Sequence, residues 1–515
     1  MSENKRRQFL KLAGPLPAAM ATGCKAGAAP QGHDIQGSAK WERPPKQTGN
    51  SLNLLVFVAD TFRADNLEAY GSDWVQTPNL NRFAQQSIVF QDAYAEGLPT
   101  IPARRVLYTG RRIVPTYHVA QLGELGSSPG WHHLYHEDVT LSEVLWEAGY
   151  STALIADLPH LQRPGRNFHR GYKYFEWIRG QETDYYALAP RKTPDFSDLF
   201  PAGYIDEVEK QYGDGGRGDF RKFLNQYTAN RKRWLKNGDS IVEQTAHRAI
   251  DWLKQNRDEG PFYLHIESFD PHEPWDPPAD FLRKYYSGPA TPSWPEPPYT
   301  NIQVPPEGVK RLRANYAGEA SNVDHWFGKI VETLGDLGLA DNTVVVFLSD
   351  HGALLGEQGQ FAKGAERQRV QVTRIPLLVR VPGQSSAKVS GFVQHPDLLP
   401  TLLGRLNLKA PARATGQDLW EYVAKKESTN RDHIVTGFGW IASVRTPIWT
   451  YVAVWNPEKY TGTFAPQLYD VRKDPQELRN VVDSYPQVAK DLQAKLRAYI
   501  DSGWDITRGS FAGSV

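Results

Sequence analysis

The sequence predicts an α/β protein with a large, mostly parallel β-sheet flanked by helices and a small α+β subdomain at the C-terminus. A continuous apolar run at residues 52–59 is typical of a parallel strand buried on both faces. Helical and strand-like segments alternate along residues 140–348, as they do where helices cover a parallel sheet. After about residue 411 the pattern changes to short strand-like pieces, which predicts the subdomain.

Helix caps and apolar runs predict three further helix–strand units in the large sheet. The first begins at a capping box formed by Thr140 and Glu143, and Gly149 ends its helix. Ser240 is expected to cap the second helix. The predicted helices cover residues 141–148, 241–256 and about 315–337, and the strands that follow them cover residues 150–156, 262–269 and 343–348.

The remaining elements are predicted from proline content and short apolar runs. Seven prolines between Pro289 and Pro306 favour an extended loop over the sheet's edge and disfavour a helix. In the C-terminal part, strands are predicted at residues 434–437, 448–454 and 467–471, and a helix between residues 488 and 500. The expected domains are a large domain at residues 51–410 and a subdomain at residues 411–515, preceded by a leader at 1–30 and a linker at 31–50.

The composition excludes several classes of protein. Of 515 residues, 40% are hydrophobic and 23% charged, which argues against a disordered chain. A net charge of +1 gives no global attraction to nucleic acid or to an anionic membrane, so no nucleic-acid partner is expected. A single cysteine rules out an intrachain disulfide and a cysteine-based zinc cluster. No apolar run reaches the 18 residues that a membrane-spanning helix needs.

The first thirty residues resemble an export signal. Arg6 and Arg7 precede a short apolar, small-residue segment at residues 12–23, a pattern that predicts export by the twin-arginine route. A basic disordered tail is the alternative. Cys24 lies where a lipoprotein signal places its lipid-bearing residue, and cleavage near residues 26–28 is the competing prediction. We therefore expect a periplasmic protein or a lipoprotein anchored to the membrane through Cys24.

Polar residues follow four of the predicted buried strands. They are Asp60, Asp157 to His160, Asp270 to His272, and Asp350 with His351. One carboxylate at a strand end is more often a helix cap or a turn residue. Four such ends of a parallel sheet meet at one edge, however, where α/β proteins build their sites. Aspartate and histidine without cysteine are ligands that suit a divalent cation.

A fifth segment places a hydroxyl and a guanidinium one helical turn apart. Thr100 precedes a predicted helix start, with Pro102 two positions on. A nucleophile at that point would be exposed to the positive end of the helix and its unbonded amides, which favour an anion. Arg104 can face the same anion with its planar fork of donors. The alternative is a capped helix with a surface arginine.

These segments together resemble the sulfatase branch of the alkaline phosphatase superfamily. That family's signature is Cys or Ser, any residue, Pro, a small residue and Arg, followed by a Leu-Thr-Gly-Arg-like tail. Residues 100–104 and 107–111 match it, except at the first position. The resemblance spans about residues 52–505. The other segments that fit, in the same order along the chain, are residues 77–84, 349–363, 375–383, 397–402 and 468–480.

Three departures from the family pattern change what the resemblance implies. Thr100 stands where sulfatases convert Cys or Ser into formylglycine. A threonine alkoxide could instead attack phosphorus, as in superfamily members that handle phosphodiesters, phosphonates or phosphoryl transfer. Thr61 replaces the second of two consecutive aspartates, and Asp157 stands where the family has a lysine.

The resemblance implies a role for each matching residue. Asp60, Thr100, Asp350 and His351 would hold one divalent metal. Zinc, manganese or iron is favoured by the histidine, and calcium stays an alternative. A second metal involving Asp157 is not favoured.

The resemblance also implies residues that act on the substrate. Arg104 and Lys363 would neutralise its oxygens, and His160 or His272 would protonate the leaving group. A turn histidine and a solvated lysine are the alternatives for His272 and Lys363. The basic run at residues 231–236 is interpreted as a solvated helix face, with binding of an anionic polymer as the sharper hypothesis.

The expected function is that of a metal-dependent ester hydrolase of this family. Thr100 would cleave phosphodiester, phosphonate or phosphomonoester bonds through a covalent intermediate, in a small-molecule or glycan anionic ester. One alternative is a sulfuric ester hydrolase acting on sulfated carbohydrate or aryl sulfate. Others are a phosphoryl transferase, a class that usually carries membrane helices, and a non-catalytic protein that binds anionic glycans.

Overall fold

A computed structural model describes most of the chain. The described residues are 44–47, 51–116, 129–162, 165–212, 220–238, 240–299, 301–425 and 427–507. They belong to one compact unit that spans Glu42–Val515. The predicted export signal, Cys24 and most of the linker lie outside the described residues. Within the described part, no helix is both long and apolar enough to cross a membrane.

Fifteen strands and thirteen α-helices are described. The strands are β1 (Asn53–Ala59), β2 (Ile88–Tyr94), β3 (Gly97–Leu98), β4 (Ser151–Ala156), β5 (Tyr174–Trp177), β6 (Phe262–Ser268), β7 (Thr343–Ser349), β8 (Leu354–Glu357), β9 (Gln360–Ala362), β10 (Leu377–Arg380), β11 (Ala387–Gln394), β12 (Ile434–Phe438), β13 (Ile441–Arg445), β14 (Trp449–Val454) and β15 (Gln467–Asp470). The helices are α1 (Pro78–Ala84), α2 (Thr100–Thr109), α3 (Leu141–Glu147), α4 (Tyr204–Tyr212), α5 (Phe220–Trp234), α6 (Ile241–Asn256), α7 (Ala279–Leu282), α8 (Pro306–Asp336), α9 (Val370–Thr373), α10 (Leu398–Arg405), α11 (Trp420–Lys425), α12 (Pro486–Asp501) and α13 (Trp504–Thr507).

The predicted large sheet is confirmed as mostly parallel. It has eight strands in the order β11-β2-β10-β7-β1-β6-β4-β5. Strand β1 lies at its centre and pairs in parallel with β6 and β7. Strand β10 is the exception, because it runs antiparallel to both of its neighbours.

Helices cover the sheet on both faces, so successive side chains of β1 enter two different cores. Leu55 and Phe57 pack in a cluster with apolar residues of α6 and α8. The intervening Val56 and Val58 line a small cavity together with residues of α2, α3 and α10. This alternation follows from the two-residue period of a strand. It places α2, and therefore Thr100, on the face of the sheet opposite α8.

The C-terminal part forms a second sheet, as predicted, but with strands that the sequence did not predict. Its order is β15-β14-β13-β12-β3. Strand β13 was not predicted, and β3 comes from residues 97–98, far earlier in the chain than the expected boundary at residue 411. Because β3 directly precedes α2, the second sheet is continuous with the segment that carries Thr100.

One predicted boundary was wrong. Helix α8 begins at Pro306, nine residues before the predicted start. Proline is favoured in the first turn of a helix because its missing N–H would have no helical partner there. The extended loop therefore ends at Pro305, and α8 is longer than the sequence pattern indicates.

Candidate active site

The register of the central strands brings two aspartates together. Ala59 of β1 lies opposite Ser349 of β7, so the next residues, Asp60 and Asp350, leave the sheet side by side. His351 follows at once. Ligand atoms of these three residues all lie within 4.8 Å of one another, and each residue is 0% exposed.

Thr61 orients both carboxylates from an uncommon backbone conformation. Its φ is 62°, which β-branched residues rarely adopt. The amide donates to Asp350 Oδ1 at 2.9 Å, the hydroxyl donates to Asp60 Oδ1 at 2.7 Å, and the carbonyl accepts from Tyr316 Oη at 2.8 Å. Such a conformation persists where several contacts enforce it, and these are often at functional sites. In the sequence, Thr61 stands out only because it replaces the second of two aspartates.

His351 presents a nitrogen lone pair to the two aspartates. Its Nδ1 donates to the carbonyl oxygen of Gly352 at 3.0 Å, so Nε2 carries no proton in the neutral ring. Nε2 is buried without a hydrogen-bond partner and lies 3.4 Å from Asp350 Oδ2. Burial lowers the pKa of His351 to about 3. A neutral imidazole held through its other nitrogen is the form in which histidine binds metals.

A close approach of two backbone segments supports this arrangement. A Cβ atom at Gly352 would lie 2.1 Å from the carbonyl oxygen of Gln371. Only glycine therefore fits directly after His351.

Arg104 is the cation at the centre of the group. Its Nη1 donates to Asp60 Oδ2 at 2.8 Å and to Asp350 Oδ2, and it is 0% exposed. The alternative of a surface arginine is therefore wrong. Burial and Asp350 raise the pKa of Asp60 to about 6, although Arg104 acts in the opposite direction.

Thr100 lies one turn before Arg104 on the same helix. It is the first residue of α2 and 1% exposed, and its carbonyl oxygen lies 3.5 Å from Arg104 Nη1. The first amides of a helix lack helical partners and favour negative charge. The hydroxyl and the guanidinium thus share the electropositive end of α2.

Lys363 and His272 are two further residues predicted for the site, and they contact each other. Lys363 Nζ lies 2.9 Å from His272 Nε2, 3.1 Å from Glu273 Oε1 and 3.1 Å from Tyr299 Oη. His272 Nδ1 donates to the carbonyl oxygen of Glu273 at 2.6 Å. Lys363 is 6% and His272 4% exposed, so the solvated lysine is excluded and the histidine has buried partners. The charge of Lys363 lowers the pKa values of both Asp60 and His351.

Comparison with known proteins identifies the family. The family described as "Sulfatase" matches residues 52–408, and the one described as "N-sulphoglucosamine sulphohydrolase, C-terminal" matches residues 356–502. The chain belongs to the sulfatase family. It is an ester-bond hydrolase of the alkaline phosphatase superfamily.

The chain is similar in sequence to sulfatases, and it shares its fold with a phosphonate hydrolase. An arylsulfatase of Clostridium perfringens is 25% identical and covers 87% of this chain and 96% of its own. An N-acetylgalactosamine-6-O-sulfatase of Bacteroides thetaiotaomicron is 24% identical and covers 89% of this chain and 95% of its own. The solved phosphonate monoester hydrolase of Agrobacterium radiobacter shares the fold, with a TM-score of 0.62, 21% identity and coverage of 87% and 96%.

Within this sulfatase-family site, Glu267 is a residue that sequence reasoning missed. Glu267 of β6 lies opposite Val58 of β1 and so faces α2. Its Oε2 accepts from Arg104 Nη2 at 2.9 Å and Nε at 3.2 Å. Burial alone would raise the pKa of Glu267, but Arg104 and His265 hold it below its ordinary value. A glutamate inside the apolar run at residues 262–268 was the signal that could have revealed it.

His160 lies further along the same edge. Its Nε2 is 3.5 Å from Glu182 Oε2. Phe269 packs against the rings of both His160 and His272, with centroid distances of 6.0 and 4.0 Å. The structure therefore connects His272 to the site through Lys363 and places an aromatic ring beside His160.

Asp157 stabilises the fold through hydrogen bonds to two other segments. Its Oδ1 accepts from the Phe269 amide at 2.5 Å and its Oδ2 from Thr245 Oγ1 at 2.9 Å. Burial and the neighbouring Asp270 raise its pKa well above the ordinary value. Both oxygens thus join β4 to the segment after β6 and to α6, and a second metal site has no support from this residue.

The residues present fit a divalent cation, as the metal dependence of the family requires. Two carboxylates and a buried nitrogen without a partner converge on one point. Oxygen and nitrogen donors of this kind suit a divalent cation. Among the described residues, Asp60, Asp350 and His351 are the one group of this kind.

Proposed function

We propose that the enzyme cleaves phosphorus esters, namely phosphodiesters, phosphonates or phosphomonoesters, with Thr100 as the nucleophile. The observation that carries this proposal is a buried threonine at the start of α2, one turn from Arg104. The only cysteine of the chain is Cys24, so no cysteine can be converted into formylglycine beside Arg104. A threonine oxygen can attack phosphorus but cannot form the hydrated aldehyde on which sulfatases depend.

The reaction would proceed in two displacements. First, Thr100 Oγ1 loses its proton to solvent and forms a bond to phosphorus, while the bond from phosphorus to the leaving oxygen breaks. Then a water oxygen bonds to phosphorus, the bond from phosphorus to Oγ1 breaks, and Oγ1 regains a proton. A divalent cation held by Asp60, Asp350, His351 and Thr100 would favour the ionised hydroxyl and neutralise charge on the substrate.

Arg104 would stabilise the charge that develops on the non-bridging oxygens. Its Nε and Nη2 donate to Glu267, which leaves Nη1 directed at the aspartates and the reacting centre. Donors held in place before the reaction need no reorganisation when charge develops. Glu267 is therefore a positioning residue for Arg104.

We assign protonation of the leaving oxygen to the pair of Lys363 and His272. Because His272 Nδ1 donates to a carbonyl, its Nε2 is the nitrogen that can exchange a proton, and it lies 2.9 Å from Lys363 Nζ. One proton shared by the pair can pass to the leaving oxygen. His160 is the alternative acid, and a greater loss of kcat in His160→Gln than in His272→Gln would overturn our assignment.

A second candidate is hydrolysis of sulfate esters. It is favoured by the names of the relatives, which include an arylsulfatase and an N-acetylgalactosamine-6-O-sulfatase. In this case the substrate would be an aryl sulfate or a sulfated carbohydrate.

Kinetics with matched p-nitrophenyl esters distinguish the candidates. A phosphodiester, a phosphonate, a phosphomonoester and a sulfate are compared on one sample whose zinc, manganese, iron and calcium contents are measured. We expect phosphorus turnover that falls at least about 1,000-fold in Thr100→Ala and is partly kept in Thr100→Ser, together with a phosphorylated peptide containing Thr100. Sulfate as the best substrate, or full activity of Thr100→Ala, would contradict the proposal.

We also propose export by the twin-arginine route, supported by Arg6 and Arg7 before an apolar segment. Replacing both by lysine should retain the protein in the cytoplasm of a bacterial host. Labelling with a radioactive fatty acid, compared between wild type and Cys24→Ser, tests the lipid anchor. Equal labelling, or none, would mean that Cys24 is not lipidated.

A further inference from the structure

A second cleft lies outside the candidate active site. It has a volume of about 430 Å³ and opens between α5, the segment at residues 275–295 and the first turns of α8. Ligand pockets of proteins typically enclose about 300 to 1,000 Å³. None of the residues that line this cleft belongs to the group around Asp60 and Asp350.

Arg311 is a buried cation on the wall of this cleft. It is 6% exposed, and it donates from Nε to Asn315 Oδ1 and from Nη1 to the Pro289 carbonyl, both at 2.9 Å. Both acceptors are neutral. Among the described residues, no carboxylate forms an ion pair with Arg311, and burial lowers its pKa. Arg104, by contrast, contacts three carboxylates.

A buried charge without a counter-charge is costly, so an anion is expected beside it. The opposite wall adds positive charge from α5. Arg231 is paired with Asp276, whose Oδ2 also accepts from Tyr227 Oη at 2.5 Å. Lys232 is exposed and forms no ion pair with any described residue.

The charges of the lining therefore favour an anion. Its cations are Arg231, Lys232 and Arg311, and its carboxylates are Asp198 and Asp276. That leaves an excess of one positive charge, and the paired Asp276 is already satisfied. The basic run at residues 231–236 is thus partly a wall of this cleft and not only a solvated helix face.

Apolar side chains complete the lining: Leu235 is exposed and Leu199 and Leu282 are half-buried, whereas Trp275 and Tyr227 are buried. Apolar surface beside a few polar groups, in a cleft of this volume, suits an organic ligand of the size of a sugar ring. We propose that the cleft binds a ring-sized organic anion, a sugar acid or a sulfate or phosphate ester of a sugar, whose anionic group pairs with Arg311. The site is independent of the reaction assigned to Thr100.

Calorimetric titration of the full-length, metal-loaded enzyme tests this site. Glucuronate, glucose 6-sulfate and glucose 6-phosphate distinguish the three sources of the anion, and glucose is the neutral control. We expect at least one anionic sugar to bind and glucose not to bind. Arg311→Gln should weaken that binding about tenfold or more, because a charge-assisted hydrogen bond is lost.

Arg313→Gln is the matched control, since Arg313 lies on the same helix, is exposed and donates to the Leu355 carbonyl. It should leave the Kd unchanged. Lys232→Ala, an exposed change that spares the fold, should weaken binding about two- to fivefold.

Three outcomes of the titrations with wild type, Arg311→Gln and Arg313→Gln would overturn the proposal. They are equal binding of glucose, a Kd that is the same in Arg311→Gln and Arg313→Gln, and no binding of any of the anions. The titration is repeated with Arg104→Lys, which alters the candidate active site. A Kd that changes in this variant but not in Arg311→Gln would place the anion beside Asp60 and likewise exclude the cleft.

Discussion

Two groups of buried carboxylates lie at the same edge of the large sheet but have opposite electrostatic surroundings. The first group surrounds Arg104 and consists of Asp60, Glu267 and Asp350. The second follows β4 and β6 and reaches α8; its members are Asp157, Asp270, Asp276 and Glu319. Arg231, at the outer side, pairs with one member of the second group.

The difference is visible in the pKa values. Burial raises the pKa of Asp270 to about 7 and that of Glu319 well above its ordinary value. In the first group Arg104 opposes burial, so that the pKa of Glu267 stays below its ordinary value and that of Asp60 rises only to about 6. A buried cation therefore opposes the effect of burial in the first group, which offers its carboxylates to a metal, whereas the second group ties loops to the sheet.

The largest expected effect is a loss of bound metal, which we expect on substitution in the first group but not in the second. Asp350→Asn should lower both metal content and kcat/KM by more than about 100-fold, because even indirect ligand partners contribute 10- to 100-fold. Asp157→Asn is the matched control and should leave the metal content unchanged, since Asp157 bonds to the Phe269 amide and to Thr245 and does not belong to the group of metal-binding residues. Metal analysis and kinetics check this. Equal loss of metal in both variants would contradict the distinction between the groups.

Glu267→Gln tests whether catalysis requires Glu267 to hold Arg104 in place, and this variant should keep its bound metal. We expect kcat to fall about 10- to 100-fold, because Arg104 loses the charged partner of its Nε and Nη2. Tyr108→Phe removes a 3.3 Å hydrogen bond to Glu267 but leaves both contacts of Arg104 with Glu267 in place, and it is the control, with a much smaller effect. Metal content and melting temperature are measured for both variants. Unchanged kcat in Glu267→Gln would mean that Arg104 needs no anchor.

The raised pKa values in the second group should make the free energy of unfolding depend on pH. Asp270 has a folded pKa raised to about 7, so the folded state holds its proton more tightly than the unfolded state does. Its contribution to stability is complete below about pH 4 and is lost as the pH rises through about 7. Asp270→Asn should therefore gain stability relative to wild type by a few kcal/mol over this interval, since one pKa unit corresponds to about 1.4 kcal/mol.

Urea denaturation at several pH values measures this difference. Gln181 Nε2 donates to Asp270 Oδ1 at 2.8 Å, a contact that asparagine can keep. A stability difference that does not vary with pH would show that Asp270 is ionised in the folded protein.

The smallest expected effect concerns a single hydrogen bond of the second group. Thr245→Val removes the hydroxyl that donates to Asp157 Oδ2 at 2.9 Å. The free energy of unfolding should fall by about 1 kcal/mol, and metal content and kinetics should stay as in wild type. A loss of metal in this variant would mean that Asp157 communicates with Asp60 and Asp350.

Local patterns in the sequence were sufficient to predict the large sheet and several of its elements. The cap at Thr140 and the helix start at Ser240 depend on neighbouring residues alone, and both occur where predicted. The ends of β1 and β7 were also predicted, because an apolar run followed by a polar residue marks the end of a buried strand. The proximity of Asp60 to Asp350 followed from parallel topology.

Only the tertiary structure decided which buried charges meet. Asp60 and Asp157 follow similar strands, yet one faces Arg104 and the other bonds to a backbone amide and a threonine. Glu267 and Arg311 differ in the same way, because the first has a buried counter-charge and the second has none among the described residues. Whether a buried carboxylate or guanidinium is compensated depends on side chains that are far apart in the sequence, and spacing along the chain does not encode those contacts.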